Sequence, residues 1–122
     1  MKQVLLVFLG GGLGSMFRYM INRFIVTKQL NPLWATLSVN VLGSLLIGII
    51  LGWAMRSTNL SQNTVLFLAT GLCGGFTTFS TFAYENQQLI KAGDFITLFI
   101  YGISSFALGI AAVFLGLWLS KT

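Results

Sequence analysis

Thr70-Gly71-Leu72-Cys73-Gly74-Gly75-Phe76-Thr77-Thr78-Phe79-Ser80-Thr81-Phe82-Ala83-Tyr84-Glu85 decides how this chain folds. It lies in an uncharged run from Ser57 to Tyr84, and apolar character then continues to Lys91. A helix drawn from Thr64 to Ile90 has Thr77 at its midpoint. Roughly 20 residues cross a bilayer, so Gly74–Thr81 falls near the membrane midplane. Paired glycines and four hydroxyls are costly at that depth. Irregular backbone is tolerated there only where protein buries it or it lines an aqueous path. The expectation is a membrane helix broken at its centre.

Composition agrees. Of 122 residues, 56% are hydrophobic and 7% charged, against about 25% charged in soluble domains. A net charge of +5 would suggest nucleic acid in a soluble protein. Here the basic residues punctuate the ends of apolar runs and read as membrane anchors, so no nucleic-acid partner is expected. The one cysteine, Cys73, sits among apolar residues and glycines and reads as packing. With no histidine and one cysteine, one chain cannot assemble the usual transition-metal site.

Outward from the central stretch, the chain divides into four spans, about 4–26, 33–55, 64–90 and 95–120, in a single domain. The first carries Gly10-Gly11-Gly12-Leu13-Gly14-Ser15, small residues suited to close helix contact, and then Arg18-Tyr19. Arg18 is too deep for an end anchor, because Arg23 and Lys28 already mark that end. Snorkelling and the lining of a watery vestibule both remain open for it. Pro32 suits the first turn of the second helix. Thr36, Asn40, Gly43 and Ser44 share one face of that helix. Asn40 needs either a neighbouring helix or an ion to use its amide. Gly48 and Gly52 form a small-xxx-small pair for packing. A polar loop at 56–62 precedes the broken helix. In the fourth span Gly102, Gly109 and Gly116 recur every seven residues as a packing stripe, and Tyr101 and Ser105 share another face.

Four spans put both termini and the second loop on one side of the membrane, with Lys2, Arg56 and Lys121. The other side holds Arg23, Lys28 and Lys91. Three against three leaves the positive-inside rule little to act on. A chain without orientation bias can insert both ways, and two opposed copies can pair about a two-fold axis in the membrane plane. That axis would pass through the Gly74–Thr81 break. The expected architecture is therefore an all-α membrane protein of four helices, the third broken, paired as an antiparallel dual-topology homodimer in the lipid bilayer.

An unwound helix frees carbonyl oxygens that need partners. Two such breaks meeting on the axis would offer an all-oxygen site to one hard monovalent cation, since no carboxylate is placed to balance a divalent one. The rest of the motif points to anions. Asn40, Thr36, Ser80, Thr81, Tyr101 and Ser105 offer hydrogen-bond donors. Phe79 and Phe82, three apart, share a face, and aromatic edges carry positive quadrupole charge, although apolar packing would also place them so. Arg18 could draw anions inward. Glu85, the one acid at depth, argues against an anion path at its own position and reads as a structural or peripheral contact.

At Gly10–Ser15 with Arg18-Tyr19, at Thr36-Leu37-Ser38-Val39-Asn40 with Gly43, at Gly71–Phe82 and at Glu85, the chain resembles the bacterial fluoride channels called Fluc, or CrcB, proteins. The third piece is the specific one. The resemblance implies an antiparallel homodimer in the inner (plasma) membrane with two fluoride pathways for passive efflux and fluoride resistance. It also implies a structural sodium ion on the two-fold axis, held by backbone carbonyls that fall on Gly74 and Thr77. It makes Asn40 the pore asparagine, Phe79 and Phe82 the phenylalanines whose edges face fluoride, and Ser80, Thr81, Tyr101 and Ser105 pore-lining hydroxyls. Arg18 matches the arginine of the family's first helix. Gly109 stands where related chains often continue with a hydroxyl, and Ala83-Tyr84 replaces a smaller, more polar pair.

The alternative is a small proton-coupled multidrug exporter with four helices and dual topology. That class needs a carboxylate in the first helix, where this chain has Arg18 and no acid. A purely structural protein would explain the glycines but not Asn40 or the hydroxyl–phenylalanine ladder. Without histidine or a nucleophile–base pair, the chain is not expected to be an enzyme.

Overall fold

The computed structural model describes residues 1–56 and 59–121; residues 57 and 58 of the expected polar loop lie outside them. Every regular element among the described residues is helical. Helix α1 is Lys2–Thr27 and α2 is Leu33–Arg56. Helix α3, residues 62–76, begins as Gln62–Val65, widens into a π-helix over Leu66–Cys73 and closes with Gly74–Phe76. Helix α4 is Phe79–Ala92 and α5 is Phe95–Leu119. Taking α3 and α4 together as Gln62–Ala92, four helical segments are long and apolar enough to cross a membrane.

The ends of these segments follow from local chemistry. Asn31 Oδ1 accepts from the Leu33 N–H at 3.0 Å, and Pro32 supplies the preset turn that enters α2. Ser61 caps α3 by accepting from the Thr64 N–H at 3.1 Å. Gly93, left-handed at φ +74°, ends α4. One residue later, Asp94 accepts from the Thr97 N–H at 3.2 Å and starts α5.

Two close helix pairs make the body, and small residues make both. A Cβ on Gly10 would strike the Phe67 carbonyl, and one on Gly14 the Leu72 carbonyl; from the other side, one on Gly75 would strike the Gly11 carbonyl. Thus α1 and α3 meet backbone to backbone along Gly10/Gly14 and Gly71/Gly75. Helices α2 and α5 meet likewise at Gly48 and Gly116, while Gly52 makes room for the Ser120 side chain. The expected heptad stripe on the last helix is therefore only partly a packing stripe. Gly116 is wedged against α2, whereas Gly102 faces open space and Gly109 has only Ser44 Oγ near it, at 3.7 Å. Cys73 is buried beside Ile50 and Ala69, as a packing residue should be. Helix α4 buries none of its residues.

Candidate functional site

The break in the third span is two residues long. Thr77 (φ −91°, ψ 161°) and Thr78 (φ −152°, ψ 122°) are extended, between helix that ends at Phe76 and helix that restarts at Phe79. The unwinding is thus narrower than the expected Gly74–Thr81. Gly74 and Gly75 stay helical: Gly75 is held against Gly11 of α1, and Gly74 lines the groove described below.

Side chains from two neighbouring helices hold the break. From α2, the Asn40 amide forms a two-point pair with Thr78, its Oδ1 accepting from the Thr78 N–H at 2.8 Å and its Nδ2 donating to the Thr78 carbonyl at 3.1 Å. Gly43, one turn on, lets the Thr77 methyl and the Phe76 ring lie against α2. From α1, Arg18 Nε donates to the Gly75 carbonyl at 3.1 Å, and Ser15 Oγ donates to the same oxygen at 3.5 Å. Within the break, Thr77 N–H and Oγ1 both donate to the Cys73 carbonyl, at 3.1 and 3.0 Å. Thr78 Oγ1 caps α4 by accepting from the Thr81 N–H at 3.2 Å. The carbonyls of Gly74 and Thr77 receive no hydrogen bond among the described residues.

Past the break, α4 turns Phe79 and Phe82 toward a groove of about 460 Å³ shared with α2 and α5. Their ring centroids are 6.0 Å apart and tilted by 44°, and Phe82 lies 5.1 Å from the Tyr101 ring. Asn40, Gly74, Thr77 and Ser105 open onto the same groove. The Ser105 hydroxyl is buried and unpartnered among the described residues. Phe79 is 78% exposed, so the groove lacks a wall on that side in a single chain.

The expected donor ladder is divided. Thr36 Oγ1 donates to Glu85 Oε2 at 2.9 Å, and the Tyr101 hydroxyl donates to Glu85 Oε1 at 2.7 Å. Both hydroxyls are thus committed to a carboxylate and tie α2, α4 and α5 together. Ser80 Oγ pairs with Thr78 Oγ1 at 3.2 Å and is exposed. Thr81 lines a separate cavity of about 150 Å³ with Arg18, Asn22 and Thr36. Sequence reading missed the central part played by Thr78, whose backbone and hydroxyl organise the break. It also missed Glu85 as the partner of two of the expected donor hydroxyls. The four-residue spacing from Thr81 to Glu85 was visible, but which helices face α4 was not.

Among the described residues no group of three or more His, Cys, Asp or Glu could hold a metal ion. The free oxygens at the break include the carbonyls of the groove-lining residues Gly74 and Thr77. That donor set suits a hard cation of low charge and no soft metal.

A family model described as CrcB-like protein, Camphor Resistance (CrcB), matches residues 5–117. Curated relatives run the full length of the chain. A protein of Phocaeicola vulgatus named fluoride-specific ion channel FluC is 46% identical over 122 residues, covering 99% of this chain and 100% of the relative. Proteins with the same name from Gloeothece citriformis and Hyphomonas neptunium are 44% and 40% identical, covering 99% of this chain and 98% and 97% of theirs.

Proposed function

From the premise that this chain belongs to the CrcB-like family, we propose that it is a fluoride-selective channel giving passive efflux across the inner (plasma) membrane and hence fluoride resistance. The observation that carries this reading is the groove at the break. There Phe79 and Phe82 share a groove with Ser105 Oγ, the one buried side-chain donor without a partner among the described residues. An ion crossing such a region must exchange water for fixed donors. Ring edges and a free hydroxyl supply positive potential without a full counter-charge that would trap it. Asn40 also faces the groove, its carbonyl and one amide hydrogen held by Thr78. Arg18 and Thr81 line the neighbouring cavity, which gives anions an electropositive approach.

The working unit is an antiparallel homodimer. Phe79 at 78% exposure and Phe106 at 73% leave the groove half-walled, and a second copy inserted the opposite way would complete it. A sodium ion belongs on the two-fold axis, held by the Gly74 and Thr77 carbonyls of both copies. It would supply the positive charge that lets four carbonyl dipoles converge in a dry interior. Thr36, Tyr101 and Ser80 lie near this path but engage Glu85 or Thr78. Their part in it is to set the position of α4. The exporter alternative finds no support: α1 holds Arg18 and no carboxylate.

The test is anion release from liposomes holding the purified protein, with fluoride and chloride compared at matched gradients. Fast fluoride release with little chloride release is expected. A folded, monodisperse dimer that releases no fluoride would refute the channel reading.

A further inference from the structure

An arginine deep in a membrane span is usually explained by its charge. Here the geometry around Arg18 gives its Nε–H a distinct job. Gly75 sits in the last turn of α3, where carbonyls lose their helical partners. Its oxygen faces α1 and accepts from both Arg18 Nε and Ser15 Oγ. Gly74, one residue earlier and so rotated by about 100°, opens instead onto the groove. The close α1–α3 contact sets this up. Gly14 lies against Leu72 and Phe76, and Arg18 follows it by one helical turn.

We propose that Arg18 is a positioning residue for the axial cation: it caps the broken end of α3 through the Gly75 carbonyl and leaves the carbonyls of the groove-lining residues Gly74 and Thr77 free as ligands. This rests on the sodium reading given above. A cation at the C-terminal end of a helix is favourable on dipole grounds as well. Without Arg18, a third carbonyl in the same turn loses its charged partner and competes for the ion, or the turn frays. Arg18 also lines the 150 Å³ cavity, and its bond to Gly75 uses Nε alone, so capping and vestibule roles can use different nitrogens of one side chain.

Lysine separates the two roles. It keeps the charge but places a methylene where Nε stands. The experiment compares full-length wild type, Arg18→Lys and Arg18→Met, purified as dimers, by hydrogen exchange across residues 71–82 during a sodium titration at constant ionic strength against N-methylglucamine. Wild type should show sodium-dependent protection of that segment. Both variants should need about tenfold more sodium or greater for the same protection, with α5 peptides unchanged. Arg18→Lys matching wild type in its sodium midpoint would overturn the proposal while leaving the ion in place. Wild type indifferent to sodium would overturn the sodium reading and this proposal with it. Should Arg18→Met fail to fold, Arg18→Lys alone decides.

Discussion

Replacing Asn40 with leucine isolates what holds the break in place. Leucine keeps the same branched skeleton of four side-chain heavy atoms but carries neither polar group. Two hydrogen bonds disappear, at 2.8 and 3.1 Å, and both polar groups of the Thr78 peptide lose their partner. Each half-buried group left unsatisfied costs about 1–3 kcal/mol, so the pair should cost roughly 2–6 kcal/mol. For a chain of this size, that corresponds to a fall of about 10 °C or more in melting midpoint. Asn40→Asp should also melt lower than wild type, because its carboxylate still accepts from the Thr78 N–H but faces the Thr78 carbonyl with a repelling oxygen. Thermal unfolding of the detergent-solubilised protein, read beside fluoride release from liposomes, distinguishes two accounts. If Asn40 only offers a donor to a passing anion, Asn40→Leu melts like wild type and conducts slowly. That result would refute the pin described here.

The glycine interlock makes a paired prediction. Gly14→Ala places a Cβ against the Leu72 carbonyl and 2.7 Å from the Phe76 nitrogen, whereas Gly12→Ala meets nothing within 4 Å. Size-exclusion recovery should collapse for the first and hold for the second; equal behaviour would remove the α1–α3 contact as a stability determinant. At Glu85, Thr36→Val and Tyr101→Phe each delete one bond to a carboxylate and should each cost about 1.5–3 kcal/mol. In an Glu85→Ala background each should then cost far less, and a melting-temperature cycle that shows simple additivity would deny that the three residues act as one unit.

Much of this architecture was legible before any coordinates. Four charge-poor runs separated by basic residues and turn signals leave little choice but four membrane helices, and a break centred on Thr77 follows from placing Gly-Gly and four hydroxyls mid-span. The detail that misled was the glycine pair. Glycine reads as a helix breaker, yet Gly74 and Gly75 remain helical, and at Gly75 the missing side chain is what lets α1 approach. The unwinding falls instead on Thr77 and Thr78, whose extended backbone is stabilised by Asn40 of another helix. Nothing local to the stretch carries that information. Gly102 and Gly109 show the converse. Their heptad spacing with Gly116 is regular, but only Gly116 is wedged against the backbone of a neighbouring helix, since the groove opens beside the other two. Glu85 was read as a structural or peripheral contact, but pairing it with Thr36 and Tyr101 required knowing that α2 and α5 both flank α4.

These contacts share a geometric logic. On α1, the close approach at Gly14 is followed one turn later by Arg18, and on α2 the close approach at Gly43 is preceded by Asn40. Each helix therefore brings a side-chain-free surface to the break and, next to it, one long polar side chain to engage the backbone there. Three of the broken segment's carbonyls are taken in this way: Cys73 by Thr77, Gly75 by Arg18 and Ser15, and Thr78 by Asn40. Of the carbonyls that remain, those of Gly74 and Thr77 belong to residues that line the groove. A break held this firmly behaves as a fixed electrostatic fixture and not as a hinge. Preorganised dipoles of that kind let a dry interior receive an ion without reorganising at the moment of passage. The threonines, the asparagine and the arginine thus serve one end, which is to hold a non-helical stretch rigid where the membrane would otherwise forbid it.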